Sequence, residues 1–462
     1  MSFFLKKTKY IFLFVFITCS PLDLSNPRDT RSSLFLMNRL IDCVLSGCGS
    51  PSGSLSINLS PKTGTVMGYS EPLTITAGDA NAKIRYTTDN TEPNSNSSLY
   101  TKPLQPSKDF VGKTIKAVAM LDNGTTGAVA EGRYYFPVLK TEQNVCYDNA
   151  TLVVACDPVA HKGQDGLVQT GKAQSYIGPT AHSTYTSNIT TFDNNTGLTW
   201  QTCVNGRSDI NCSTGTDTGG TLSNALTNCA NLNSSNSNAG YAGLTNWRLP
   251  SMQEVFSLLR QGPNSISAAN FPATQPSYLL SSTLDPTDTA NRVYNIGFIN
   301  QVASSTLQAS STPFRCVSGS PLPSYSFTDQ GDGTLFDNTT GIYWTKCLRN
   351  ESAPNCSGTA ISTDWAASVS YCSGLTYGGR SWRLPNVNEI VGLIDPSATS
   401  APYIRNVSLF SPNLTGKILF SSSTWVNVSY PNRAVGLTLS TGIINNDNDK
   451  SISNYALCVS GP

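Results

Sequence analysis

The chain has 462 residues, length for roughly three domains, and carries 30 basic against 29 acidic side chains for a net charge of +1. Only 13 % of its residues are charged, against an average near ~25 %, and Ser, Thr, Asn and Gly fill the difference, as in exported, strand-rich and loop-rich proteins. This balance gives no electrostatic basis for binding nucleic acid or an anionic membrane surface, and two histidines, His161 and His182, exclude repeated imidazole chemistry.

At the N-terminus Lys6, Lys7 and Lys9 precede an apolar run, Tyr10–Ile17, that is too short for a permanent membrane span. Residues 1–19 therefore read as a signal peptide. Thr18-Cys19-Ser20 resembles the lipobox of bacterial lipoproteins, whose cysteine is diacylated and becomes the mature N-terminus. That resemblance implies lipidation at Cys19 and a membrane anchor at the outer membrane or cell surface, facing outward. The alternative is an ordinary signal peptide cut further on. With Cys19 set aside, the other cysteines divide into a pair of Cys43 and Cys48, a pair of Cys146 and Cys156, and two groups of four: Cys203, Cys212, Cys229, Cys316 and Cys347, Cys356, Cys372, Cys458. An even, clustered set in an exported chain reads as disulfides, and the lack of a CxxC spacing or a nearby histidine argues against zinc.

Residues 20–54 read as a tether, in which Cys43 and Cys48 close a small loop. Over 55–137 short alternating segments, Leu73-Thr74-Ile75-Thr76, Lys83–Thr88 and Thr114–Ala119, are separated by turn clusters, the pattern of a small immunoglobulin-like all-β sandwich. Through Ile84-Arg85-Tyr86-Thr87-Thr88-Asp89, Thr91-Glu92-Pro93 and Ser98-Leu99-Tyr100-Thr101 it resembles the C-terminal β-sandwich domain of chitobiase and β-hexosaminidase enzymes, an accessory module. Asp89 and Glu92 sit among turn residues and read as turn formers rather than a catalytic carboxylate pair. Cys146–Cys156, with apolar arms around Asp148-Asn149, reads as a disulfide-closed hairpin.

From here a cassette of about 130 residues occurs twice, within 138–319 and 320–462. The first copy contains TTFDNNTGLTWQTC (Thr190–Cys203), NWRLPSMQEV (Asn246–Val255) and FRCVSG (Phe314–Gly319). The second has GTLFDNTTGIYWTKC (Gly333–Cys347), SWRLPNVNEI (Ser381–Ile390) and ALCVSG (Ala456–Gly461). Cys203 and Cys212 are nine residues apart, as are Cys347 and Cys356. Helical spacing predicts helices over Leu222–Leu232 and Trp365–Leu375, each bearing a cysteine, Cys229 or Cys372. A bridge from there to the last cysteine of the copy would contribute roughly 4–5 kcal/mol in the chain-entropy model. Pro250 and Pro385 suit the first position of a second helix, with Glu254 and Glu389 in its first turns. Arg248 and Arg383, beside Trp247 and Trp382, read as buried guanidinium clasps bonding backbone carbonyls or a carboxylate, rather than as ligand-binding groups.

The order strand, cysteine helix, WRLP helix, long loop and terminal cysteine strand resembles the C-type-lectin-like fold. More specifically, FDN-x-TG-x-x-W with WRLP-x-x-x-E, twice, is similar to the Lcl C-terminal domain of bacterial surface proteins. The resemblance implies an α+β fold of two tandem C-type-lectin-like domains after the β-sandwich, and non-catalytic adhesion to glycan or host extracellular-matrix protein, with no catalytic residues and no cofactor. A structural envelope lipoprotein is the alternative; a carbohydrate-related or formylglycine-generating-like enzyme is a further one. Gln275-Pro276-Ser277 and Trp425-Val426-Asn427 lack the carboxylates a calcium-dependent lectin needs, so no metal is expected. Asp329–Gly333 and Asn446–Asp449 are oxygen-rich but read as turns or hairpin loops. Tyr403, Trp425 and Tyr430 are the candidate ligand-binding residues, as aromatic faces that stack on sugar rings.

Overall fold

The computed structural model describes residues 54–106, 110–148, 151–153, 155–262, 265–272, 278–427 and 429–461. The lipidation expected at Cys19 lies outside the described residues. The disulfide expected between Cys43 and Cys48 lies outside them too: neither Cys43 nor Cys48 is among the residues described, so that pairing stands apart from the five bridges reported below. Among the described residues no helix is long and apolar enough to cross a membrane.

The N-terminal module pairs Ile57–Ser60 with Thr74–Ala77 and sets a four-stranded sheet beside them, ordered Ser98–Leu99, Lys83–Thr87, Thr114–Met120, Ala130–Arg133. Met67, Leu73, Ile75, Phe110, Ile115, Ala117 and Tyr134 fill its core.

In each copy the three repeated motifs become adjacent strands. Trp200 of the FDN-x-TG-x-x-W hairpin pairs with Val317 of the terminal motif, and Val317 pairs in turn with Arg248 of WRLP. In the second copy Trp344, Val459 and Arg383 repeat that register. The aspartates fold the hairpin turns, Asp193 Oδ1 accepting from the Asn195 N–H at 2.9 Å and Asp337 Oδ1 from the Thr339 N–H at 3.0 Å. Gly197 and Gly341 close them at φ +73° and +77°, a conformation that glycine adopts at the least steric cost.

The long region between WRLP and the terminal motif is not a loop. It forms β1 (Tyr278–Leu284), β2 (Arg292–Gly297) and β3 (Val302–Leu307) in the first copy, and β4 (Ile418–Thr424), β5 (Arg433–Thr438) and β6 (Ile443–Asp449) in the second. These six join in one sheet, ordered β1-β2-β3-β6-β5-β4. The seam pairs Ala303 with Ile444, each the second residue of its strand, so equivalent positions meet across an approximate twofold. The Tyr294 hydroxyl donates to the Gly442 carbonyl at 2.9 Å, and Asn446 Nδ2 to the Asn300 carbonyl at 2.6 Å. One core cluster runs through both copies, from Trp200, Phe256 and Phe298 to Trp344, Ile390 and Leu437.

The expected α+β fold of tandem C-type-lectin-like domains with an immunoglobulin-like sandwich is therefore overturned. The protein is mostly β, about 31 % strand and 13 % helix, in a four-blade, propeller-like arrangement. The helices are short, among them α1 (Asp165–Val168), α2 (Leu222–Asn231), α3 (Met252–Phe256), α4 (Trp365–Gly374) and α5 (Val387–Val391). The apolar residues of the presumed loop belong to strands that form a three-stranded meander in each copy, and the two meanders join edge to edge through β3 and β6.

Two local expectations also change. Pro250 and Pro385 precede the caps Ser251 and Asn386 instead of opening the helices, because their carbonyls accept from the Ser282 and Ser422 N–H groups of β1 and β4 at 2.7 and 2.8 Å. Asn446–Asp449 is strand, not turn: Ile444, Asn446 and Asn448 alternate inward, and asparagine amides bonded to backbone carbonyls replace aliphatic side chains there.

The N-terminal module docks on both hairpin turns. The Tyr69 and Ser70 N–H groups donate to the Asn195 and Asn194 carbonyls, and the Phe136 N–H to the Thr339 carbonyl at 2.7 Å. The ring of Tyr69 lies over Gly197 and that of Tyr135 over Gly341, so close that an added Cβ would sit 2.4 and 2.8 Å from ring carbons.

Candidate functional site

The WRLP residues form matched clasps. Arg248 donates Nη1 to Glu254 Oε2 at 2.7 Å and Nη2 to Glu254 Oε1 at 2.6 Å; Arg383 and Glu389 repeat this at 2.7 and 2.5 Å. Each glutamate also accepts from its helix-cap N–H, of Ser251 or Asn386, completing a capping box. Each arginine reaches the carbonyl of the terminal glycine, Gly319 or Gly461. Burial depresses the Arg383 guanidinium, but the attraction of Glu389 outweighs it and holds the group above its ordinary value. Trp247 and Trp382 donate Nε1–H to the Tyr241 and Tyr377 carbonyls. With each arginine paired to a glutamate of its own copy, these residues hold three motifs together.

Five disulfides join Cys146–Cys156, Cys203–Cys212, Cys229–Cys316, Cys347–Cys356 and Cys372–Cys458. The one His/Cys/Asp/Glu group of metal-binding size among the described residues, Cys347, Glu351 and Cys356, includes two sulfurs bonded to each other. Glu351 there accepts from the Leu348 N–H, Ser411 and Asn413.

The candidate aromatics divide. Tyr403 bonds Leu439 at one end of β4, whereas Trp425 bonds Arg433 at the other, so the three do not form one surface. Trp425 and Tyr430 stack on each other, centroids 5.2 Å apart and planes 9° from parallel, with Tyr430 47 % exposed.

Beside this pair the Cys146–Cys156 hairpin and α1 pack against the second copy. The Tyr147 hydroxyl donates to the Trp425 carbonyl at 3.2 Å, and Gln143 donates to Thr424 Oγ1 at 2.8 Å and accepts from its N–H at 3.0 Å. Asp165 is buried between, accepting from Thr141 at 2.7 Å and Ser423 at 2.5 Å; burial pushes its carboxyl up to about 6. Tyr147 also lines a cleft of about 740 Å³, together with Lys162, Asp364, Trp365, Asn432 and Lys450 among others, within the size range of small-ligand sites. Lys450 is only 7 % exposed; its ammonium lies 3.4 Å from the Tyr147 ring centroid and 4.9 Å from that of Trp365, donating to the Pro431 carbonyl at 2.7 Å. Burial pushes it down to about 7.

Comparison with known families gives the same two-copy division. The Lcl C-terminal domain matches residues 189–318 and again 333–460. The chain belongs to the Lcl C-terminal domain family. A second model, Fn3 associated, matches residues 73–134. No curated protein and no solved structure matches the chain.

The two Lcl C-terminal domains differ at the cleft. The first residue of each cysteine helix bonds the same backbone position, Leu222 to the Gln308 carbonyl at 2.8 Å and Trp365 to the Lys450 carbonyl at 2.9 Å. The first copy therefore carries leucine and glutamine where the second carries tryptophan and lysine. Sequence reasoning missed Tyr147, Trp365 and Lys450 as a group, since they come from segments far apart in the chain. The contrast of Trp365 with Leu222 was the available signal.

Proposed function

We propose that this protein is a surface adhesin that binds glycan or host extracellular-matrix protein without catalysis, anchored at the outer membrane by a lipid on Cys19. The observation that carries the reading is the Trp425–Tyr430 stack beside the cleft of the second Lcl C-terminal domain. An exposed aromatic face next to amide, hydroxyl and charged side chains matches the amphipathic surface of a sugar ring. Five disulfides agree with an exported position. The first copy, lacking the tryptophan and the lysine, serves in this reading as the other half of the shared sheet.

The test is a glycan and matrix-protein array probed with the whole secreted chain, with and without a calcium chelator. Saturable binding that survives chelation is expected. No binding by a chain with intact disulfides would overturn the adhesin and leave a structural envelope role.

A further inference from the structure

We infer that the cleft between the Cys146–Cys156 hairpin and the second Lcl C-terminal domain is a binding site for a sugar bearing a single carboxylate, held by the Lys450 and Lys162 ammonium groups. The inference rests on the adhesin reading and names the ligand class of its site.

Charge pairing around the cleft supports this choice. Neither Lys162 nor Lys450 has a carboxylate partner among the described residues. The two acids on the wall are already used: Asp364 caps α4 through the Ala367 N–H at 2.7 Å. Asp449 accepts from the Ser451 N–H and hydroxyl and from Asn432 Nδ2. Lys450 directs one N–H to Pro431 and keeps two, between the Tyr147 and Trp365 rings. A carboxylate there gains charge-assisted hydrogen bonds to a largely desolvated ammonium. Asp364 and Asp449 flank that point and repel a densely charged polyanion, so the wall favours one carboxylate over a run of sulfates. Tyr147, Lys162, Asp364 and Asp449 are the titratable or charged groups facing Lys450 from the hairpin segment, α4 and β6. A bound carboxylate raises the depressed ammonium back toward its ordinary value, so binding takes up a proton and strengthens as pH falls from 8 to 6.

Isothermal titration of the whole chain would compare a glucuronate-terminated oligosaccharide with its glucose-terminated counterpart and with heparin, at pH 6.5 and 8. The acidic sugar is expected to bind about tenfold tighter than the neutral one, and more tightly at pH 6.5. Lys450→Met is expected to abolish that preference and Lys162→Ala to weaken it, the latter being an exposed position whose loss leaves the fold untouched; urea midpoints check both. Equal affinity for the two sugars, or a preference unchanged in Lys450→Met, would overturn the inference. So would binding of neither sugar by a chain that still binds matrix protein on the array, which leaves the adhesin reading standing; failure in both assays removes both.

Discussion

Replacing Glu389 by glutamine leaves the shape of the second clasp and removes its negative charge. Arg383 is 9 % exposed and Glu389 2 %, so the variant strands a buried guanidinium with a neutral amide and the Gly461 carbonyl. Breaking a buried ion pair from one side costs about 3–5 kcal/mol. Glu254→Gln provides the internal comparison. Glu254 is also fully buried, but the Arg248 side chain keeps 28 % of its surface against 11 % for Arg383. Water can therefore take over part of the work at Arg248, and the expected cost drops to about 1–3 kcal/mol. Urea unfolding of the full chain, with midpoints and slopes compared between wild type and each variant, reads both values. The reasoning fails if Glu389→Gln lies within about 1 kcal/mol of wild type, or if Glu254→Gln costs more.

Asp165, Asp193 and Asp337 are each pushed up to about 6 by burial, above the ordinary carboxylate value of 3.8. The folded state thus binds protons that the unfolded state does not. Each aspartate costs up to about 3 kcal/mol at neutral pH, a cost relieved as pH falls through 6 toward 4. Asp165→Asn should flatten the rise in urea midpoint between pH 7 and 5, and an unchanged slope would contradict the assignment. Gly341→Ala forces a left-handed alanine against the Tyr135 ring, so it should cost more than the about 1–2 kcal/mol of the backbone conformation alone and loosen the N-terminal module, read by limited proteolysis after Pro137. Gly331→Ala, also at positive φ but with open space around its Cβ, should cost only the backbone part.

Much of the local structure was legible because it depends on neighbours in the chain. The cysteine helices start at Leu222 and Trp365 as their spacing indicated, and the repeated cysteines bridge within each copy. The strands at Lys83–Thr87 and Thr114–Met120 follow their alternation. What the sequence did not reveal is how one copy completes the other. β3 and β6 each pair along one edge with a strand of their own copy and leave the other edge to the other copy, and the polar inward residues of β6, Asn446 and Asn448, disguised a buried strand as a turn. The same limit hid the cleft: Tyr147, Trp365 and Lys450 meet only because the hairpin lies against the second copy instead of the first. Of the three aromatics, Tyr430 is exposed and Trp425 is half-buried against it, whereas Tyr403 belongs to the opposite end of β4.

Because β3 and β6 share one sheet, neither Lcl C-terminal domain can be tested alone without exposing that seam. The most direct measurement is therefore made on the whole chain. Take the tightest ligand found on the array and titrate it against wild type and against Trp425→Ala/Tyr430→Ala. The account predicts at least about tenfold weaker binding in the variant with an unchanged unfolding midpoint, since these rings stack on each other at the surface. Undiminished binding would place the ligand elsewhere and contradict it.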